Sequence, residues 1–287
     1  MKLVLTILLS TLLASVCPGQ GRQSSLDQFN ALKGTAASLE RLVLAPSDED
    51  VAAAEEENAT AVRLLPRETY DNSFTSIRGG GSYYSFFYRM HDYGYGSDVG
   101  LEQGRFPAGF AMTELSDVPL SSVSRTTKGV SGLANYVRAK STDFTSEYNQ
   151  AATNSLKLED TTYSLGVKAV VGNTYIVRSI SPDYYDVLVA FKVLRQDSDK
   201  SLILLWRLIE QFDTPRRNYP IKPTTDAEII AKAKRWQSDE RFRDIQISVN
   251  ESVTTLRGSV EKKSLPYLIQ MANSDGAAKI INLLSVR

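Results

Sequence analysis

The chain has 287 residues, 42% of them hydrophobic and 23% charged, which suits a folded protein with one large domain or two small ones. Lys+Arg and Asp+Glu number 33 each, so the formal net charge is zero. No global basic field marks the chain as a nucleic-acid binder, and no acidic field marks it for a basic partner.

Met1-Lys2 followed by an apolar run from Leu3 to Val16 has the n-region and h-region of a secretory signal. The run is shorter than the roughly 20 residues a bilayer span needs. Small residues follow it, and removal is expected after Gly19 or Gly21. The one cysteine, Cys17, sits at the end of this run in Ala14-Ser15-Val16-Cys17. A bulky Val where a lipidation signal has a small residue, and Pro18 after it, make a poor lipoprotein context. Cleavage beyond Cys17 leaves a mature chain without cysteine, with no disulfide, thiolate nucleophile or cysteine-metal site. The expected location is the periplasm or cell envelope, with full secretion as the alternative.

From Ser24 to Leu44, Leu26, Phe29, Leu32, Ala36, Leu39 and Val43 recur at helical steps and predict an amphipathic helix. Pro46 interrupts it. Ser47-Asp48-Glu49-Asp50 then reads as a new helix start, and the stretch to Leu65 as a second helix with Glu55-Glu56-Glu57 on a solvated face. Residues 22–65 are thus a helical N-terminal segment. From 66 to 213 the pattern is β-rich, a sandwich or a curved antiparallel sheet. Strands are expected over Ser82–Met90, Val99–Glu102, Ala108–Thr113, Leu165–Val171, Thr174–Ile180, Tyr185–Leu194 and Leu202–Phe212, with a short helix at Gly132–Lys140. Gly172-Asn173 is a hairpin signal between two of them. Pro215, Pro220 and Pro223 mark residues 214–223 as a linker, with Arg216, Arg217 and Lys222 adding positive charge.

Residues 224–287 predict helix, strand, strand, helix, strand. Thr225 or Asp226 caps the first helix, Ile245–Val249 and Val253–Val260 form a hairpin, Ser264 starts the second helix with Pro266 in its first turn, and Lys279–Val286 closes the unit. The residues Asp226-Ala227-Glu228-Ile229, Ile245-x-Ile247-x-Val249, Val253-Thr254-x-Leu256-x-Gly258-x-Val260, Ala272 with Gly276, and Ile281-Asn282-x-Leu284-x-Val286 resemble the BON domain of bacterial osmotically inducible and envelope proteins. The family's hairpin turn usually has a glycine, where this chain has Asn250-Glu251-Ser252. The resemblance implies an αββαβ module that binds a phospholipid surface or an envelope protein and has no catalysis of its own. Gly258 interrupts a good strand, where a bulge or close backbone approach is expected, and Gly276 turns the chain after the second helix. The module has ten Lys/Arg and eight Asp/Glu. Its candidate lipid or partner contacts are Lys262 and Lys263, with Arg216, Arg217 and Lys222 of the linker.

No catalytic, cofactor or metal set stands out. His91 is the only histidine, and no Gly-x-Ser-x-Gly elbow supports a triad around it. Gly79-Gly80-Gly81 is not followed by the Lys-Ser/Thr of a phosphate loop. His91, Tyr93 and Tyr95 lie in a glycine-rich aromatic stretch that either packs over a sheet end or contacts a ligand. Three readings follow. The first is a non-enzymatic envelope protein attached through its C-terminal module, the second a barrel or sandwich binding a small apolar or sugar ligand, and the third a hydrolase using carboxylates without a motif.

Overall fold

Ser47 and Asp50 start the first helix, α1 (Asp48–Glu56), by a reciprocal exchange. The Ser47 hydroxyl accepts from the Asp50 amide at 3.2 Å, and the Asp50 carboxylate accepts from the Ser47 amide at 3.0 Å. Asp50 is buried and also pairs with Arg195 from a distant strand, so one side chain serves cap and tertiary contact together. The helix stops at Glu56, and Thr60–Leu64 is strand β1, not the helix expected to continue to Leu65. Asn58, at φ 51, turns the chain, and Val62 and Leu64 then alternate inward around Arg63.

The computed structural model describes residues 42–69, 80–91, 97–137, 155–215 and 224–287. Residues 42–44 are helical, and the rest of the expected helix from Ser24 lies outside the described residues, as do the signal segment, Tyr93, Tyr95, Arg216, Arg217 and Lys222. The account below concerns the compact unit Pro46–Arg287.

The architecture is α+β with mostly antiparallel sheet. After β1 come β2 (Tyr83–Ser85), β3 (Met90–His91), β4 (Val99–Gly100), β5 (Arg105–Ser116), helix α2 (Ser131–Asn135), β6 (Leu156–Leu158), β7 (Thr161–Lys168), β8 (Thr174–Ser181), β9 (Tyr185–Gln196) and β10 (Leu202–Gln211). These form one ten-stranded sheet in the order β1-β10-β9-β8-β5-β4-β2-β3, with β7 also on β5 and β6 on β7. The ends of that path return to each other. Leu65 N donates to Gly81 O at 2.9 Å, Arg67 N to Leu101 O at 3.0 Å, and the His91 ring meets Arg63 O at 2.7 Å. A single sheet therefore curls until its first strand lies beside β3 without forming a ladder there.

Both faces are buried, so the middle strands read as continuous apolar runs. On β9, Val187, Val189, Phe191 and Val193 face an inner core with Val62, Leu64, Phe106, Tyr175, Val177, Leu204 and Trp206. Leu188 and Ala190 face an outer core with Ile176 and Leu205, covered by Ala54 of α1 and by Leu120, Val123, Val130 and Leu133. Arg178 fastens this cover. It makes two 2.9 Å bonds to the buried Asp186, donates to Leu133 O and Tyr136 O, and lies 3.9 Å from the Phe212 ring centroid.

Two expected connections form differently. The single strand expected at Ser82–Met90 is broken by a turn over Phe86–Arg89, because the Asp98 carboxylate accepts from the amides of Phe86 and Phe87. Arg89, at φ 56, completes the reversal. Gly172-Asn173 turns the chain but joins no hairpin: β7 pairs with β5 and β6, whereas β8 pairs with β5 and β9. Long β5 is bulged and reaches both strands, which outweighs the local turn signal.

Residues 224–287 fold as α3 (Asp226–Trp236), β11 (Gln246–Asn250), β12 (Val253–Val260), α4 (Leu265–Ser274) and β13 (Lys279–Val286). β11 and β12 are antiparallel, and α4 carries the chain over so that β13 runs parallel to β12. Thr225 and Glu228 cap α3 reciprocally, while Ser264 holds the N-cap place of α4 without a side-chain cap bond. This lobe is not a bead on a string. Trp236, Leu256, Leu268 and Ile280 share one buried cluster with Phe86, Phe87 and Trp206. The seam is stitched by Thr214 N to Ala278 O at 3.0 Å, Gln211 Nε2 to Ile280 O at 2.5 Å and Asn282 Nδ2 to Phe87 O at 2.9 Å.

Candidate functional site

His91 lies at this seam. Its Nε2–H donates to Arg63 O at 2.7 Å, its ring meets Tyr84 edge-on at 5.1 Å, and Lys262 of the C-terminal lobe faces it. Burial, helped by the Lys262 charge, pushes the imidazole down to about 4. At neutral pH it is an uncharged ring holding the β1–β3 junction.

Close by in sequence, Asp98 is fully buried. Oδ2 accepts from Phe86 N at 2.6 Å, Phe87 N at 3.3 Å and the Ser85 hydroxyl at 3.2 Å, while Oδ1 accepts from the Tyr185 hydroxyl at 2.9 Å. Burial raises its pKa against the lowering effect of these donors. A carboxylate so engaged organises a turn; its lone pairs are committed to backbone and hydroxyl donors. Among the described residues, no group of three His, Cys, Asp or Glu gathers as a metal site. The aromatic strand Tyr83–Ser85 and its turn contribute Tyr84, Phe86 and Phe87 to the core.

In the C-terminal lobe Gly258 has φ +109, and a Cβ there would lie 2.6 Å from Asp244 O, so two backbones approach closely at β12. Gly276 has φ +108, with Thr224 Oγ1 only 2.5 Å from a Cβ. The β11–β12 turn does without glycine: Glu251 and Ser252 take φ 50 and 60, and the Asp226 carboxylate accepts from both amides at 2.9 and 2.8 Å. Lys262 and Lys263 are exposed, and Lys263 pairs with Glu261 at 2.9 Å.

A groove in this lobe has no counterpart among the sequence expectations. Lys232, Arg235 and Trp236 share a side of α3, and Tyr267, Gln270, Met271 and Ser274 share a side of α4. With Asp275 they enclose a groove of about 460 Å³ between the helices. Trp236, 7% exposed, forms the floor, and its indole N–H donates to Asp275 Oδ2 at 2.7 Å. Lys232 Nζ donates to Asp275 O at 3.1 Å. Burial raises the Asp275 carboxyl, opposed by the indole bond and the two cations nearby. Tyr267 stands 48% exposed on the opposite lip, with the Arg241 guanidinium 5.2 Å from its ring. Sequence spacing places Ile229, Ile230, Ala233 and Trp236 on the inner side of α3; Ile229, Ala233 and Trp236 are buried, and Ile230 is 37% exposed. The i, i+3, i+4 spacing of Lys232, Arg235 and Trp236 and of Tyr267, Gln270, Met271 and Ser274 is the signal that marks the groove.

Comparison of the chain with protein-family models, curated protein sequences and solved structures gives no match. Among the described residues, no helix is long and apolar enough to cross a membrane.

Proposed function

We propose that this is an exported, non-enzymatic envelope protein whose residues 224–287 act as a BON-like module attaching it to phospholipid or to another envelope component. The observation that carries the reading is the α3-β11-β12-α4-β13 order, with the residues of the resemblance at its strand and turn positions. Gly258 at the close β12 approach and Gly276 after α4 are consistent with it. The reading without catalysis is supported by the state of two perturbed polar groups: His91 and Asp98 both hold backbone in place. The aromatic segment of β2, which would serve a ligand-binding barrel, is spent on filling the core.

Cell fractionation tests this directly. The full chain expressed in a bacterial host should lose its first residues up to Gly19 or Gly21, read by N-terminal sequencing, and co-purify with the envelope. Recovery in the cytosol with Met1 still present would refute it. Vesicles of phosphatidylglycerol, offered to the chain from residue 22, then separate lipid from protein attachment. Sedimentation with them that weakens as salt rises would identify a lipid surface.

A further inference from the structure

The groove between α3 and α4 has a shape and a charge pattern that distinguish two kinds of attachment. Its apolar floor is Trp236 and Met271, and one lip carries Lys232 and Arg235. Lys232 is partly engaged by a carbonyl, whereas Arg235 projects exposed from the last turn of α3. Trp236 is recessed, and its polar N–H is turned inward to Asp275. A tryptophan that anchors a protein in a bilayer sits on a protruding surface with its N–H toward the headgroup layer. A flat lipid surface also cannot follow the groove to its floor. A peptide segment can place one apolar side chain on Trp236 and Met271 while its acidic neighbours meet Lys232 and Arg235. The volume falls within the range of sites that hold a few side chains or a small ligand.

We infer that this groove docks a protein partner through a short segment that alternates acidic and apolar residues, and that it is this contact, not a lipid surface, by which the C-terminal lobe attaches. The inference rests on the attachment reading above and specifies its partner. Charge complementarity selects the partner's acidic residues, and the aromatic floor supplies the anchor pocket at the centre of the contact.

The test uses the chain from residue 22, a fluorescein-labelled peptide of alternating Glu and Leu, its Gln-for-Glu counterpart, and phosphatidylglycerol vesicles. The Glu/Leu peptide should bind saturably by fluorescence anisotropy and move the indole N–H resonance of Trp236, one of two tryptophans in the chain. Arg235→Glu, at an exposed position, should weaken that binding about tenfold or more, as should the Gln peptide. Lys263→Glu lies outside the groove and should leave the affinity unchanged. No saturable binding, equal loss in both variants, or a Trp236 resonance moved by vesicles and not by peptide would overturn the proposal. Envelope retention that survives Arg235→Glu, with no peptide binding, would remove the groove and leave the attachment reading standing. Failure of the unmodified chain to reach the envelope would instead remove that reading.

Discussion

Asp98 and His91 show how single polar residues hold this fold. Asp98 accepts from two amides and two or more hydroxyls in a fully buried site. Asp98→Ala strands those donors, each costing about 1–3 kcal/mol when buried without a partner. Urea unfolding should show a loss of about 3 kcal/mol or more, and a loss under 1 kcal/mol would contradict the network. His91 titrates at about 4 in the folded chain against about 6.5 unfolded, so its contribution is full above pH 6.5 and is lost as pH falls toward 4. Asp98, with its raised pKa, acts with the opposite sign on acidification. The clean measurement is therefore the difference between wild type and His91→Asn. The melting temperature of wild type should fall more steeply between pH 6.5 and 4.5, and parallel curves would show that the histidine does not matter. Neither role was legible in sequence. The glycine-rich aromatic stretch around His91 reads as either packing over a sheet end or a ligand contact, and the histidine's partner Arg63 O is a backbone atom far back in the chain.

At the scale of elements, legibility followed how local the cause is. The start of α3, expected at Thr225 or Asp226 and made by Thr225, the β9–β10 hairpin and the final strand lie at or close to their expected places, because each is fixed by neighbours in the sequence. The broken strand at Phe86–Arg89 and the lost β7–β8 pairing were invisible, because Asp98 and long β5 decide them from elsewhere. Thr225→Ala should cost about 1 kcal/mol through loss of the α3 cap. Gly258→Ala should cost more, about 2 kcal/mol or above, since φ +109 strains any side chain and the Asp244 carbonyl blocks the Cβ. Denaturant midpoints order the two variants, and the reverse order would show that Gly258 is tolerant. The groove needs two helices side by side, and the i, i+3, i+4 spacing on each helix does not by itself bring the two together.

For the whole molecule, the prolines of residues 214–223 read as a linker, and the chain on both sides of it belongs to one compact unit. Proline spacing there suggests independent lobes, whereas Trp206, Phe87, Ile280 and Leu268 share one core across it. A single cooperative unfolding transition is the expected outcome, with calorimetric and van't Hoff enthalpies equal. Two resolved transitions would show that the lobes melt apart. The β1–β10 ladder carries a further consequence, in time instead of space. Thr60 pairs with Trp206, so the first strand of the sheet waits for one of the last to be made. Until then the aromatic segment before Asp98 has no finished core to enter. Such distant pairing slows folding. Closure of β1 on β10 then belongs to the late stage of folding. Val62→Ala should accordingly speed unfolding while leaving the refolding rate nearly unchanged.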